Sequence, residues 1–129
     1  MRAVYSSGAP KPAGHYEQAW AHGDFVYISG QLPIDPATGD RITSTIEEQT
    51  RRVLENVAAV AQAAGTEINR IIKTTVYVAD IGLWDRVDKV YGEFFGEHKP
   101  ARAVVPTREL HYGFQVEIEA VAVLLSPAP

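Results

Sequence analysis

The run Phe114 to Leu125 is apolar on both of its alternating faces, and no other feature constrains the fold as strongly. Side chains along a strand point to opposite sides in turn. Ile118, Ala120, Ala122 and Leu124 therefore share one side, while Glu117, Glu119, Val121, Val123 and Leu125 share the other. A strand of this kind needs cover on both faces. The rest of the chain contains two helical segments, enough for one face of a sheet. The second face is expected to be buried against other subunits.

The first helix is the clearest element. Thr45 with Glu48 fits a capping box, and Ser44 with Glu47 is an equally good frame. Ile46, Val53, Val57, Val60, Ala61 and Ala64 form its apolar stripe, and Gly65 supplies a stop. Glu47, Arg51, Glu55 and Gln62 fall on a solvated face. A second helix is expected from Leu83 to Phe95, with Trp84, Val87, Tyr91 and Phe94 as core residues and Gly96 at its end. Around the helices lie strand-like runs at Arg2 to Ser6, Ile71 to Ala79 and Ala101 to Pro106. A hairpin is expected from about Gln18 to Ser29, turning at His22-Gly23-Asp24, followed by a loop over Gln31 to Gly39. This order gives an α+β layer with two helices on one sheet face.

With 129 residues, the chain is the length of one ordinary domain, expected to span 1–129. Apolar residues make up 46% and charged residues 22%, as in globular proteins rather than disordered ones. No apolar run approaches the ~20 residues of a membrane helix. The N-terminus lacks a basic segment leading into an apolar one, so no membrane partner and a cytoplasmic location are expected. There is no cysteine, which removes thiolate ligands, disulfides and a cysteine nucleophile together. The net charge of −4 and pI of about 5.5 oppose a nucleic-acid partner. His15, His22, His98 and His111 show no metal-binding spacing, and no phosphate-cradling glycine motif occurs. No metal and no cofactor are expected.

What remains is an arginine and a glutamate within otherwise apolar strands. If Ala101 to Pro106 and Phe114 to Leu125 pair as an antiparallel hairpin about Glu109 and Leu110, Arg102 falls opposite Glu117. Cross-strand neighbours lie roughly 5 Å apart at Cβ. Two roles are open for the arginine: an internal salt bridge to Glu117 or Glu119, or a bidentate grip on a ligand carboxylate. A glutamate beside it would orient or deprotonate a water. Ser29, at a strand end, fits a turn cap rather than a nucleophile.

Several segments resemble, in order and spacing, the Rid family of reactive intermediate deaminases, the YjgF type. They are Gly14-His15-Tyr16-Glu17-Gln18-Ala19, Ile28-Ser29-Gly30-Gln31-Leu32-Pro33, Glu48-Gln49-Thr50-Arg51 with Val53-Leu54-Glu55-Asn56, Lys73-Thr74-Thr75-Val76-Tyr77, Val90-Tyr91 with Phe94-Phe95-Gly96, Pro100-Ala101-Arg102, and Val116-Glu117-Ile118-Glu119-Ala120. The resemblance covers nearly the whole chain. It implies a chorismate-mutase-like fold of the bacillus type, a mixed sheet with two helices on one face, a homotrimer, and clefts between subunits. It also implies cofactor-free hydrolysis of 2-imino and enamine acids, of the 2-iminobutanoate and 2-iminopropanoate type, to 2-keto acids and ammonia. By position, Arg102 would bind the substrate carboxylate and Glu117 would place the water. Tyr16 would line the cleft, and Ser29, Gly30 and Gln31 would form part of its wall.

The chain departs from the family pattern at His15, Glu17, Asp88, Ala103 and Val104. Ala103 and Val104 make the surroundings of Arg102 less polar and are the positions expected to set which substrate fits, while His15 adds a titrating group. The alternative to a deaminase is a non-catalytic trimer that binds a keto acid or related metabolite. The ribonuclease activity ascribed to some relatives fits poorly with the acidic charge.

Overall fold

The computed structural model describes all 129 residues. Its strands are β1 (Arg2–Val4), β2 (Ala19–Gln31), β3 (Ile71–Val78), β4 (Ala101–Pro106) and β5 (Val116–Ala128), and its helices are α1 (Ile46–Ala63) and α2 (Trp84–Phe95). The five strands form one mixed sheet in the order β1-β2-β5-β3-β4. Both helices pack on the same face of it, the α+β architecture expected from the sequence. Neither is long and apolar enough to cross a membrane.

Helix α1 starts where the capping frame of Thr45 places it. The Thr45 hydroxyl accepts from the Glu48 N–H at 3.2 Å, and the Ser44 hydroxyl donates to the Glu48 carboxylate. The competing Ser44–Glu47 frame is not used. Glu47 instead takes a bidentate grip from Arg86 of α2, both contacts at 2.7 Å, which holds its carboxyl down at a pKa of about 2. Val53, Leu54, Val57 and Val60 are fully buried, and each such side chain contributes roughly 1.5–3 kcal/mol. Helix α2 buries Val87, Val90, Tyr91 and Phe95. Its stripe is therefore rotated from the expected one: Trp84 is exposed and Phe94 only partly covered.

Two expected pairings are overturned. The hairpin over Gln18 to Ser29 is instead a single strand, β2. Gly23 has φ of +58°, but it bulges the strand rather than turning it. The strand's first residues pair with β1, and the stretch from Gly23 onward pairs with β5. Nor do β4 and β5 form a hairpin. β4 lies parallel to β3 at the sheet edge, with Arg102 paired to Thr74, and β5 enters between β2 and β3, with Glu117 paired to Tyr77. A strand apolar on both faces belongs inside a sheet, and this insertion separates Arg102 from Glu117 by the whole of β3.

The alternation expected for β5 holds. Val116, Ile118, Ala120, Ala122 and Leu124 are buried beneath the helices, while Val121 and Val123 lie on the uncovered face. Phe25 and Tyr27 of β2 pair with Val123 and Val121 there, and Tyr27 is 51% exposed. The uncovered face is thus substantially apolar within one chain.

Candidate functional site

The principal cavity, about 440 Å³, opens at the end of β2 and β5 that carries Glu117. It is lined by Tyr16, Gln18, Ser29, Gly30, Gln31, Leu32, Ile34, His111, Tyr112 and Glu117, together with the 10–14 loop. Five of the residues singled out in the sequence, Tyr16, Ser29, Gly30, Gln31 and Glu117, come together here.

Buried amides hold the walls. Gln18 is fully buried and donates to the carbonyls of Ser6, Ala9 and Pro10, while its own carbonyl accepts from the Ser6 N–H. One side chain thus pins the loop in front of Tyr16 to the strand. Asn56 of α1 donates to the carbonyls of Leu32 and Ile34, both at 3.0 Å, fixing the opposite wall. Gln49, also on α1, accepts from the Gln115 N–H at 2.9 Å and sets where β5 begins. Each such bond contributes about 1 kcal/mol net and would cost more if one partner were lost. The Ser29 hydroxyl donates to the Glu17 carbonyl at 2.7 Å, so it ties β2 to the segment twelve residues earlier; the expected turn cap at a strand end is not formed, because β2 continues through Ser29 to Gln31.

Glu117 is half-buried. Burial is the largest influence on its carboxyl and pushes the pKa up; the charge of His111 lowers it and that of Glu119 raises it. Gly30 makes the room. A Cβ placed on it would collide with Glu117 Oε2 and lie 3.1 Å from Cδ, so only glycine lets the carboxylate sit against this strand. Glu119 is engaged elsewhere, accepting from the Tyr77 hydroxyl at 2.7 Å, and this bond raises the Tyr77 pKa.

The raised pKa of Glu117 carries a stability consequence with a definite sign. The folded state holds the Glu117 proton more tightly than the unfolded state, so stability falls as pH rises from the unfolded pKa through the folded one. Above that window the ionised side chain opposes folding. Glu117→Gln is expected to melt higher than the parent chain at neutral pH, with the difference vanishing below about pH 4. Thermal melts across that range check it, and a variant that melts lower at neutral pH would contradict the assignment.

Arg102 does not reach this cavity within the chain. Its Nη1 donates to Asp88 Oδ1 of α2 at 2.7 Å, and its guanidinium lies 4.8 Å from the Tyr91 ring centroid and 5.5 Å from that of Trp84. The ion pair anticipated with Glu117 or Glu119 is therefore made with Asp88. Arg102 lies at the helix-covered side, and Glu117 belongs to the uncovered side. Val104 packs against the core, while Ala103 alternates to the other side of β4. Neither lines the cavity, and His15 is exposed outside its lining.

His111, whose spacing from the other histidines spoke only against a metal site, and Tyr112 join the cavity wall without having been expected there. They sit in a single 3-10 turn, His111–Gly113, in which Tyr112 adopts a left-handed φ of +58°. Such a conformation in a non-glycine residue costs on the order of 1–3 kcal/mol and persists only where the surroundings impose it. Here the Arg41 guanidinium stacks 3.7 Å from the Tyr112 ring centroid, and buried Phe114 packs edge-on against the same ring. No local sequence signal marks this turn beyond Gly113.

The chain has known relatives in sequence and in fold. The sequence profile of the family described as Endoribonuclease L-PSP matches residues 6–124. The chain is 46% identical over 119 residues to a RutC family protein of Pyrococcus horikoshii, spanning 92% of this chain and 94% of the relative. It is 39% identical over 125 residues to the 2-iminobutanoate/2-iminopropanoate deaminase of Salmonella typhimurium, spanning 95% and 97%. Among solved structures, E. coli TdcF with bound serine superposes with a TM-score of 0.91 at 36% identity, covering 95% of this chain and 98% of that one.

Proposed function

The chain belongs to the Endoribonuclease L-PSP family, the YjgF/RutC/Rid group, and on that premise we propose that it hydrolyses small 2-imino acids to 2-keto acids and ammonia. The observation that carries the reading is Glu117: a half-buried carboxylate with a raised pKa, seated in the cavity by the missing side chain of Gly30. A raised pKa moves a carboxylate in the direction a general base requires at neutral pH. The name of the Salmonella relative supports the reaction class, and the serine in the TdcF structure supports a small amino-acid-like ligand for that relative.

In the proposed reaction Glu117 takes a proton from water as its oxygen bonds to the iminium carbon. Glu117 then returns that proton to the nitrogen of the tetrahedral adduct. The C–N electron pair leaves with ammonia, and the hydroxyl proton departs as the C=O forms and is taken up by the ammonia. An iminium carbon is already electrophilic, so orientation and a placed base are what the protein contributes. Arg102 is the substrate-carboxylate receptor in this reading. Because Arg102 and Glu117 lie on different sides of one chain's sheet, we place them in a shared cleft between two copies packed through the apolar face, in a homotrimer.

The test is to generate imino acids with an amino-acid oxidase and trap the unreacted remainder with semicarbazide. The expected result is faster keto-acid release with the parent chain and a loss of about a hundredfold or more in Arg102→Ala. No acceleration by the parent chain, or full activity in the variant, overturns the reading. Tight 2-ketobutyrate binding without turnover would instead identify a metabolite-binding protein.

A further inference from the structure

The Arg102 guanidinium is only half engaged, and in a specific way. Asp88 takes Nη1 at 2.7 Å, and the aromatic rings of Tyr91 and Trp84 flank the group. Tyr91 is itself fixed by a 2.7 Å bond between its hydroxyl and that of Thr74, so the platform under the arginine is rigid. Nε and Nη2 donate to nothing in the chain, and the side chain remains 22% accessible. Those donors are the free edge a carboxylate can grip. Asp88 is likewise used on one side only. Its Oδ1 holds the arginine, its Oδ2 accepts no hydrogen bond, and its side chain is 46% accessible.

A cationic donor edge and an anionic acceptor thus stand side by side, held by one short ion pair. A ligand complementary to both carries a negative and a positive group on adjacent atoms. Protonated α-imino acids have that pattern, with a carboxylate beside an iminium, and so do α-amino acid zwitterions. The 2-keto acid product does not, because its second polar group is a neutral carbonyl oxygen. That oxygen would meet the Asp88 carboxylate with like polarity and no proton between them.

We infer that Asp88 is a specificity-determining residue that selects the zwitterionic form of the ligand, accepting a hydrogen bond from the cationic nitrogen while Arg102 holds the adjacent carboxylate. This rests on reading Arg102 as the carboxylate receptor. It names the substrate class as protonated α-imino acids with the charged nitrogen next to the carboxylate, and it gives the site a means of releasing product: hydrolysis removes the cation that Asp88 recognises.

The experiment compares two ligands of the same carbon skeleton, L-2-aminobutyrate and 2-ketobutyrate, by calorimetry on the full chain and on Asp88→Asn. Asparagine keeps the shape and removes the charge, and Asp88→Ser is a second variant should the first fold poorly. The parent chain is expected to bind the amino acid more tightly than the keto acid. In the variants that preference should fall by about tenfold or more, mainly through tighter keto-acid binding. A preference ratio unchanged in both variants overturns the inference, and so does failure of the parent chain to bind either ligand. A merely structural ion pair would shift both affinities together and leave the ratio where it was, which also counts against it. The readout does not depend on turnover, so an inactive parent chain that shows the ratio change would overturn the deaminase reading and leave this one standing.

Discussion

Gly30→Ala is expected to fold normally and to lose imine hydrolysis by about a hundredfold or more. The methyl group it adds has one obstacle, the Glu117 carboxylate, and no backbone atom stands among its near neighbours. The end of a glutamate side chain moves aside by rotation at little cost, so the sheet and its melting temperature should change little. Catalysis has no such tolerance. Displacing a catalytic group by about 1 Å costs on the order of a hundredfold, and in the proposed reaction that carboxylate places the attacking water. The expected signature is a loss in kcat with KM for the imino acid close to the parent value, since the substrate carboxylate is assigned to Arg102. Steady-state kinetics beside a thermal melt read both halves. A variant with parental activity would show that Glu117 need not occupy the seat Gly30 provides.

A second large effect is expected from mixing. Arg102→Ala and Glu117→Gln should each be nearly inactive alone. Unfolded together in equal amounts and refolded, they should recover activity. If Arg102 of one copy and Glu117 of another complete each cleft, random assembly leaves about one site in four with both native residues. The same variants refolded separately and then combined supply the control. Recovery only in the co-refolded sample supports a cleft built between copies. No recovery, from variants shown to co-assemble, would mean that the two residues act within one chain, which the position of β3 between them opposes. The assembly itself is read by sedimentation: a monomer at micromolar concentration would leave Phe25, Tyr27, Val121 and Val123 in water and end the shared-cleft proposal.

Elements whose signals are local were legible in the sequence. The α1 stripe, the ends of β4 and a cap for α1 at Ser44 or Thr45 all follow from residues within a few positions of one another, and the structure selects Thr45. Pairing was less so. Gly23 reads as a turn from its neighbours because a turn and a bulge both use a left-handed glycine, and what distinguishes them is whether partner strands run past on either side. β4 and β5 looked like a hairpin because they are adjacent in sequence. The parallel alternative, in which α2 carries the chain back so that β4 lies along β3, leaves no local mark.

The sequence by itself determined that the last strand needs cover on both faces, that two helices cover one side of the sheet, and that Arg102 and Glu117 are the unusual charges among the strands. It also determined the family, through segments spread from Gly14 to Ala120. Only the tertiary structure decided where those charges point. It gave Arg102 to Asp88, it seated Glu117 against Gly30, and it brought in His111 and Tyr112 through a strained turn. The reason is physical. Burial and periodicity act along the chain and can be counted, whereas ion pairs and cavities depend on which strand edges meet. A single inserted strand is enough to separate a pair of residues that counting had joined.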